Sequence, residues 1–198
     1  MKKILLCMMM SLLLPGVLWA QSKQNELKIT LRNNAADEAQ TRTQLQRLLG
    51  QYDLSKYIFT REIVIDRQAI PHSHPVLTLS ARHLRDDELL LATFVHEQFH
   101  WFLSQREEQT EKAKQELKTI FPKVPVGFPE GAKDENSTYV HLLVNVLEYG
   151  AIIELLGELK ARQVMEFWAT DHYRWIYRQV LAEGRKIREV MIKQKLTL

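Results

Sequence analysis

The chain has 198 residues, of which 45% are hydrophobic and 26% charged, with 7 Gly and 6 Pro. That composition excludes collagen-like and low-complexity chains and is too apolar for wholesale disorder, and the length suits one domain with a sizeable core. The formal charge is +3, and without Lys2 and Lys3 the balance is 25 basic against 24 acidic residues, so no basic field remains to attract nucleic acid or anionic lipid.

Residues 1–20 read as a secretory signal peptide. Lys2 and Lys3 form a positive start, Ile4 to Leu14 is almost wholly apolar, and Pro15-Gly16 breaks the run before Trp19-Ala20. Cleavage is expected near Ala20, because the run is well short of the roughly 20 residues a spanning helix needs. The expected location is periplasmic or extracellular, with no stable membrane insertion after cleavage. Residues 21–198 form the single expected domain. Cys7, the only cysteine, lies inside the signal. The remaining chain therefore forms no disulfide and has no cysteine nucleophile or ligand. His, Asp, Glu, Ser and Lys are left to carry any chemistry.

Glu26 to Leu31 alternates weakly and predicts a strand, and Ala35 to Tyr52 predicts a helix with Leu45, Leu48 and Leu49 on one side. Glu62 to Ile65 and Val76 to Ser80 predict two further strands, separated by Pro71 and Pro75. The acids Asp86, Asp87 and Glu88 complement the dipole at the start of a long apolar helix running to about Ser104. Arg106 to Ile120 predicts a charged helix, and the Pro- and Gly-bearing stretch Phe121 to Asp134 a loop. Ser137 to Leu159 is apolar enough to be a buried helix, and helices over Gln163 to Thr170 and Asp171 to Lys193 complete the chain. The expected class is α+β, a small mixed N-terminal sheet packed on a helical bundle.

Chemistry enters with His96-Glu97-Gln98-Phe99-His100, an HExxH segment inside the helix opened by Asp86. Four residues are about one turn, so both imidazoles leave one face and can reach one ion. Zinc accepts neutral imidazole nitrogen, and three protein ligands leave a place for water. Glu97 lies beside the pair, where a carboxylate can take a proton from that water. Random placement of 7 His and 17 Glu would produce the pattern in only about 2% of shuffled chains, and the apolar flank Phe94, Val95, Phe99, Trp101 and Phe102 is expected to bury groups that then need partners.

A third ligand has to come from elsewhere. Ser137 to Leu159 carries one polar stripe of His141, Asn145 and Glu148, spaced by four and then three residues. Glu148 is the expected third ligand and His141 its competitor, with the remaining stripe residues orienting ligands or touching substrate. Neutral ligands are required, so activity is expected to fall below their free pKa near about 6.5. In the late segment His172 to Tyr177, His172, Tyr173 or Tyr177 could stabilise an oxyanion. His72 and His74 point one way in an extended chain and are candidates for a second metal or a cleft wall. No Gly-x-Ser-x-Gly elbow, phosphate loop or second Glu-x-x-His occurs.

These residues resemble the zincin metallopeptidases, and a later-helix glutamate after HExxH resembles the gluzincin, or thermolysin-type, branch. The resemblance spans roughly Val76 to Leu159. It implies zinc held by His96, His100 and Glu148, Glu97 as general base and proton shuttle, and a late histidine, here His172, at the oxyanion. It also implies an extended peptide lying along the edge strand Val76 to Ser80. Where that branch has an aspartate four residues after the third ligand, this chain has Ile152. The expected activity is zinc-dependent hydrolysis of a peptide or protein substrate. The same chemistry would serve a zinc amidase on a cell-wall cross-link, and a vestigial site would serve a metal-stabilised binding or assembly protein.

Overall fold

In the computed structural model, which describes residues 27–198, a three-stranded sheet with one α-helix between its first two strands is followed by five further α-helices. The expected signal peptide lies outside the described residues. Strands β1 (Lys28–Leu31), β2 (Glu62–Ile65) and β3 (Leu77–Leu79) lie in the order β1-β2-β3 and are all parallel, with Ile29 opposite Ile63 and Val64 opposite Thr78. The class is α+β, as expected, but the sheet is parallel where a mixed one was anticipated. Helix α1 (Ala36–Gln51) carries the chain back across the sheet after β1, so β2 starts from the same end. One antiparallel contact exists: after β2 the chain returns along the outer edge of β3, and His72 exchanges both backbone hydrogen bonds with Thr78 (3.1 and 2.8 Å). The edge expected to receive a peptide is therefore covered at Thr78 by the chain itself.

Helix α1 buries Leu45, Leu48 and Leu49. Its fully buried Glu38 accepts hydrogen bonds from the Asn33 side chain (2.8 Å) and from the backbone amides of Asn33 (2.9 Å), Ala35 (3.2 Å) and Arg67 (3.1 Å). It thereby joins the turn before α1 to the turn after β2. Burial opposes ionisation of this carboxyl, but the hydrogen bonds win and hold it near about 2.

Helix α2 (Asp87–Ser104) starts where Asp86 accepts from the Leu89 amide (3.0 Å). It is buried over most of its length, and Gln98, inside the HExxH segment, clamps it to the chain leading into β2. The Gln98 side chain accepts from the amides of Phe59 (2.7 Å) and Thr60 (2.9 Å) and donates to the Thr60 carbonyl (2.9 Å). Helix α3 (Glu107–Ile120) leads to the expected loop, and α4 (Glu135–Leu156) follows under an Asp134 cap on the Ser137 amide (2.6 Å).

By length and composition α4 is apolar enough to cross a membrane. Here it packs among α2, α3, α5 (Glu158–Asp171) and α6 (Arg174–Lys193), as the buried-helix reading required. It stops before the predicted Leu159 because Gly157, at φ +85°, adopts a backbone that other residues resist. The next break also differs from expectation. Helix α5 runs through Asp171, and the chain turns at His172 and at Tyr173, which takes the left-handed φ of +50°.

Candidate metal and catalytic site

Helices α2 and α4 pack on one another and, with residues 70–73, 82–83 and the loop at 121–134, line a cavity of about 850 Å³. From α2 come His96, Glu97 and His100, and from α4 His141 and Glu148. The turn between α5 and α6 adds His172 and Tyr173, and α6 adds Tyr177. The helical spacing of HExxH places both imidazoles on the cavity side, and the flanking Phe94, Val95, Phe99 and Phe102 are buried in the core.

Three imidazoles converge. One ring nitrogen each from His96, His100 and His141 lies within 4.8 Å of the others, and Nε2 of His96 and Nε2 of His100 are 3.3 Å apart. Two nitrogens bound to one tetrahedral ion at roughly 2.0–2.1 Å would be about 3.4 Å apart, so this spacing fits a shared cation. The outer nitrogens of His96 and His141 are engaged elsewhere. Nδ1 of His141 donates to the Ser137 carbonyl (2.7 Å), which leaves Nε2 of that ring with its lone pair. Nδ1 of His96 meets Oε2 of Glu148 (2.8 Å), and the Tyr177 hydroxyl donates to the same oxygen (3.1 Å). When ionised, Glu148 would fix the proton on Nδ1 of His96 and free Nε2 for the cluster.

Electrostatics point the same way. Burial pushes His96 down to about 4 and His141 to about 3, and lowers His100 as well. All three rings are thus neutral at and well below the pKa of a free imidazole, and the pH at which they gain protons lies below the sequence expectation. Burial, with the neighbouring Glu148, raises Glu97 to about 8, and burial raises Glu148 to about 8. Both carboxyls thus keep their protons at neutral pH for want of nearby positive charge, which a divalent cation on the imidazoles would supply. The His96, His100 and His141 cluster is able to hold a metal ion.

The structure brings His96, Glu97, His100, His141, Glu148 and His172 to one cavity, though Glu148 touches the cluster through Nδ1 of His96 and His141 presents its nitrogen directly. His172 lines the cavity with Nδ1 on Asp171 Oδ2 (2.7 Å), and Asp171 is ion-paired to Arg82. The Tyr173 ring lies 4.3 Å from that of His141. Asn145, on the same predicted stripe, is buried outside the cavity wall, with neither amide atom hydrogen-bonded among the described residues. His72 and His74 do not join the cluster, but His72 lines the cavity, as the cleft-wall reading had it. His72 bonds the Ile70 carbonyl through Nδ1 (2.8 Å), and His74 stacks on Trp101 with centroids 4.2 Å apart. His83 also lines the cavity, edge-on to Trp168.

The loop above the site is built in. Its Pro129 and Glu130 carbonyls accept from the first amides of α6, Arg174 (2.9 Å) and Trp175 (3.1 Å), and Glu130 is ion-paired to Arg178. These contacts satisfy donors that a helix start leaves open. Gly131 is required there, since a Cβ would fall 2.0 Å from the Pro125 carbonyl oxygen. The Arg82–Asp171–His172 chain and the left-handed Tyr173 were not foreseen, because both depend on where α5 ends. No protein-family model matches the chain, and no curated protein and no solved structure is significantly similar to it.

Proposed function

We propose that this chain is a zinc-dependent hydrolase of peptide bonds, exported through its N-terminal signal, of the zincin type that its HExxH segment resembles. The observation that carries this reading is the convergence of three buried imidazoles from two helices beside Glu97, in a cavity roomy enough for a substrate. His96, His100 and His141 would hold the ion, with Glu148 acting through His96 as the residue that orients it. When bound, zinc supplies a Lewis acid that acidifies water and polarises a carbonyl.

The protein's own groups do the rest. Glu97, adjacent to His96 on α2, takes a proton on its carboxylate from the attacking water and returns it to the departing amine. Tyr173 is the donor for the developing oxyanion: burial raises its hydroxyl above the ordinary phenol range, so it keeps its proton at neutral pH. His172, whose Nδ1 proton is committed to Asp171, presents an acceptor at Nε2 and orients the bound group.

Metal analysis and peptide hydrolysis by purified protein test this reading. Wild type should carry zinc and cleave peptides, and Glu97→Gln should keep the zinc while turnover falls by about 10²–10⁴-fold. Zinc in a wild type that hydrolyses no amide bond would instead support a metal-stabilised binding protein.

A further inference from the structure

Resting on that reading, we infer that the cavity takes the C-terminal end of a peptide, its α-carboxylate on Lys133 and its bulky apolar side chain between Ile70 and Phe128. Ile70 is 85% exposed and Phe128 80% exposed, the two highest values for large hydrophobic side chains among the described residues. Both line the cavity that holds the imidazole cluster. Isolated exposed apolar residues need no explanation, but two at one mouth mark a surface that a ligand covers.

Neither side chain sits on a loose tip. Ile70 leads into the segment pinned to β3 by His72, where the Trp101 indole also donates to the Ser73 carbonyl (2.8 Å). Phe128 belongs to the loop docked on α6. Two apolar groups held outward by anchored backbone form a ready-made receptor for an apolar side chain.

Charge selects which end of a peptide enters. The permanent cations on the cavity wall are Arg82 and Lys133. Arg82 is ion-paired to Asp171. The Lys133 ammonium has no hydrogen bond or ion pair among the described residues, and its side chain is exposed at the mouth. The wall's acids leave it unmatched, since Glu97 and Glu148 are buried and Asp171 is bound to Arg82 and His172. An unmatched ammonium beside an apolar receptor complements a group that is apolar and anionic at once, as a terminal residue with a free carboxylate is. An acidic side chain one residue before an apolar one would bring the same charge, and the probes below separate the two.

The test is calorimetric binding to the zinc-loaded Glu97→Gln protein, so the result does not depend on hydrolysis. The probes are N-acetyl-Ala-Ala-Ala-Phe as free acid and as amide, the same peptide ending in Ser as free acid, and N-acetyl-Ala-Ala-Asp-Phe amide. The Phe acid should bind at least tenfold more tightly than each of the others. In that background Lys133→Ala should erase the acid-over-amide gap. Ile70→Ala or Phe128→Ala should erase the Phe-over-Ser gap. Ile192→Ala, which truncates an exposed apolar side chain outside the cavity, should leave both gaps intact. Equal affinities for acid and amide, or for Phe and Ser, overturn the proposal, and so does an Asp-Phe amide that binds as well as the free acid. Intact preferences alongside a wild type without hydrolytic activity would remove the hydrolase reading and leave this one standing.

Discussion

His141 and Glu148 lie seven residues apart on one stripe of α4, and their chemistry is divided by which ring nitrogen each controls. His141 offers Nε2 to the cluster because Ser137 holds its Nδ1. Glu148 reaches Nδ1 of His96, on the far side of that ring from the nitrogen facing His100. Removing a ligand and removing its support have different costs. His141→Ala is expected to abolish stoichiometric zinc, whereas Glu148→Ala should weaken zinc about 10–100-fold. Competition against a chromophoric chelator measures both, and the reverse ranking would make Glu148 the ligand. Tyr173 pairs its role with backbone strain, since a non-glycine residue at φ +50° is held there only by its surroundings. Those surroundings are the His141 and His172 rings and the loop carbonyls bonded to the first amides of α6.

Element boundaries follow from residues that local chemistry makes decisive. Asp86 and Asp134 cap α2 and α4 through amides three residues on; the α2 start was readable from acids placed before an apolar run, whereas α4 begins at Glu135, two residues before the expected Ser137. The end of α4 was not readable, because the apolar pattern continues past Gly157 and only the backbone angle there reveals the stop. The sheet's direction was also hidden, since alternation marks a strand without saying which way its neighbour runs. The join between α1 and the sheet makes a pH prediction. Glu38 has its carboxyl held near about 2 against an ordinary 4.5, so its ionised form stabilises the fold above the ordinary value. That contribution disappears as pH falls from 4.5 through about 2. Glu38→Gln should therefore melt at a lower temperature than wild type at pH 7, with the gap closing as the buffer is taken down to about pH 2. A gap of constant size across that range would contradict the hydrogen-bond account.

At the scale of the whole molecule, an ion held by α2 and α4 would bind the folded chain and have no preformed site in the unfolded one. With free zinc at about a thousand times its Kd, the fold would gain roughly 4 kcal/mol, or about 8–16 °C in Tm for a domain of this size. Thermal melts with and without EDTA should differ by that amount and be restored by zinc, and superimposable melts would argue that no metal is held. The sequence by itself determined that His96 and His100 share a face with Glu97 beside them, because one helical turn is a local property of the backbone. It also determined the α+β class and the burial of α4, which follow from runs of apolar residues in chain order. Only the tertiary structure decided how His141 and Glu148 divide their contacts, that the β3 edge is covered by His72, and that Ile70, Phe128 and Lys133 line one cavity. Each of those depends on where separate elements cross, and a crossing is set by packing between residues far apart in the chain, which no local spacing encodes.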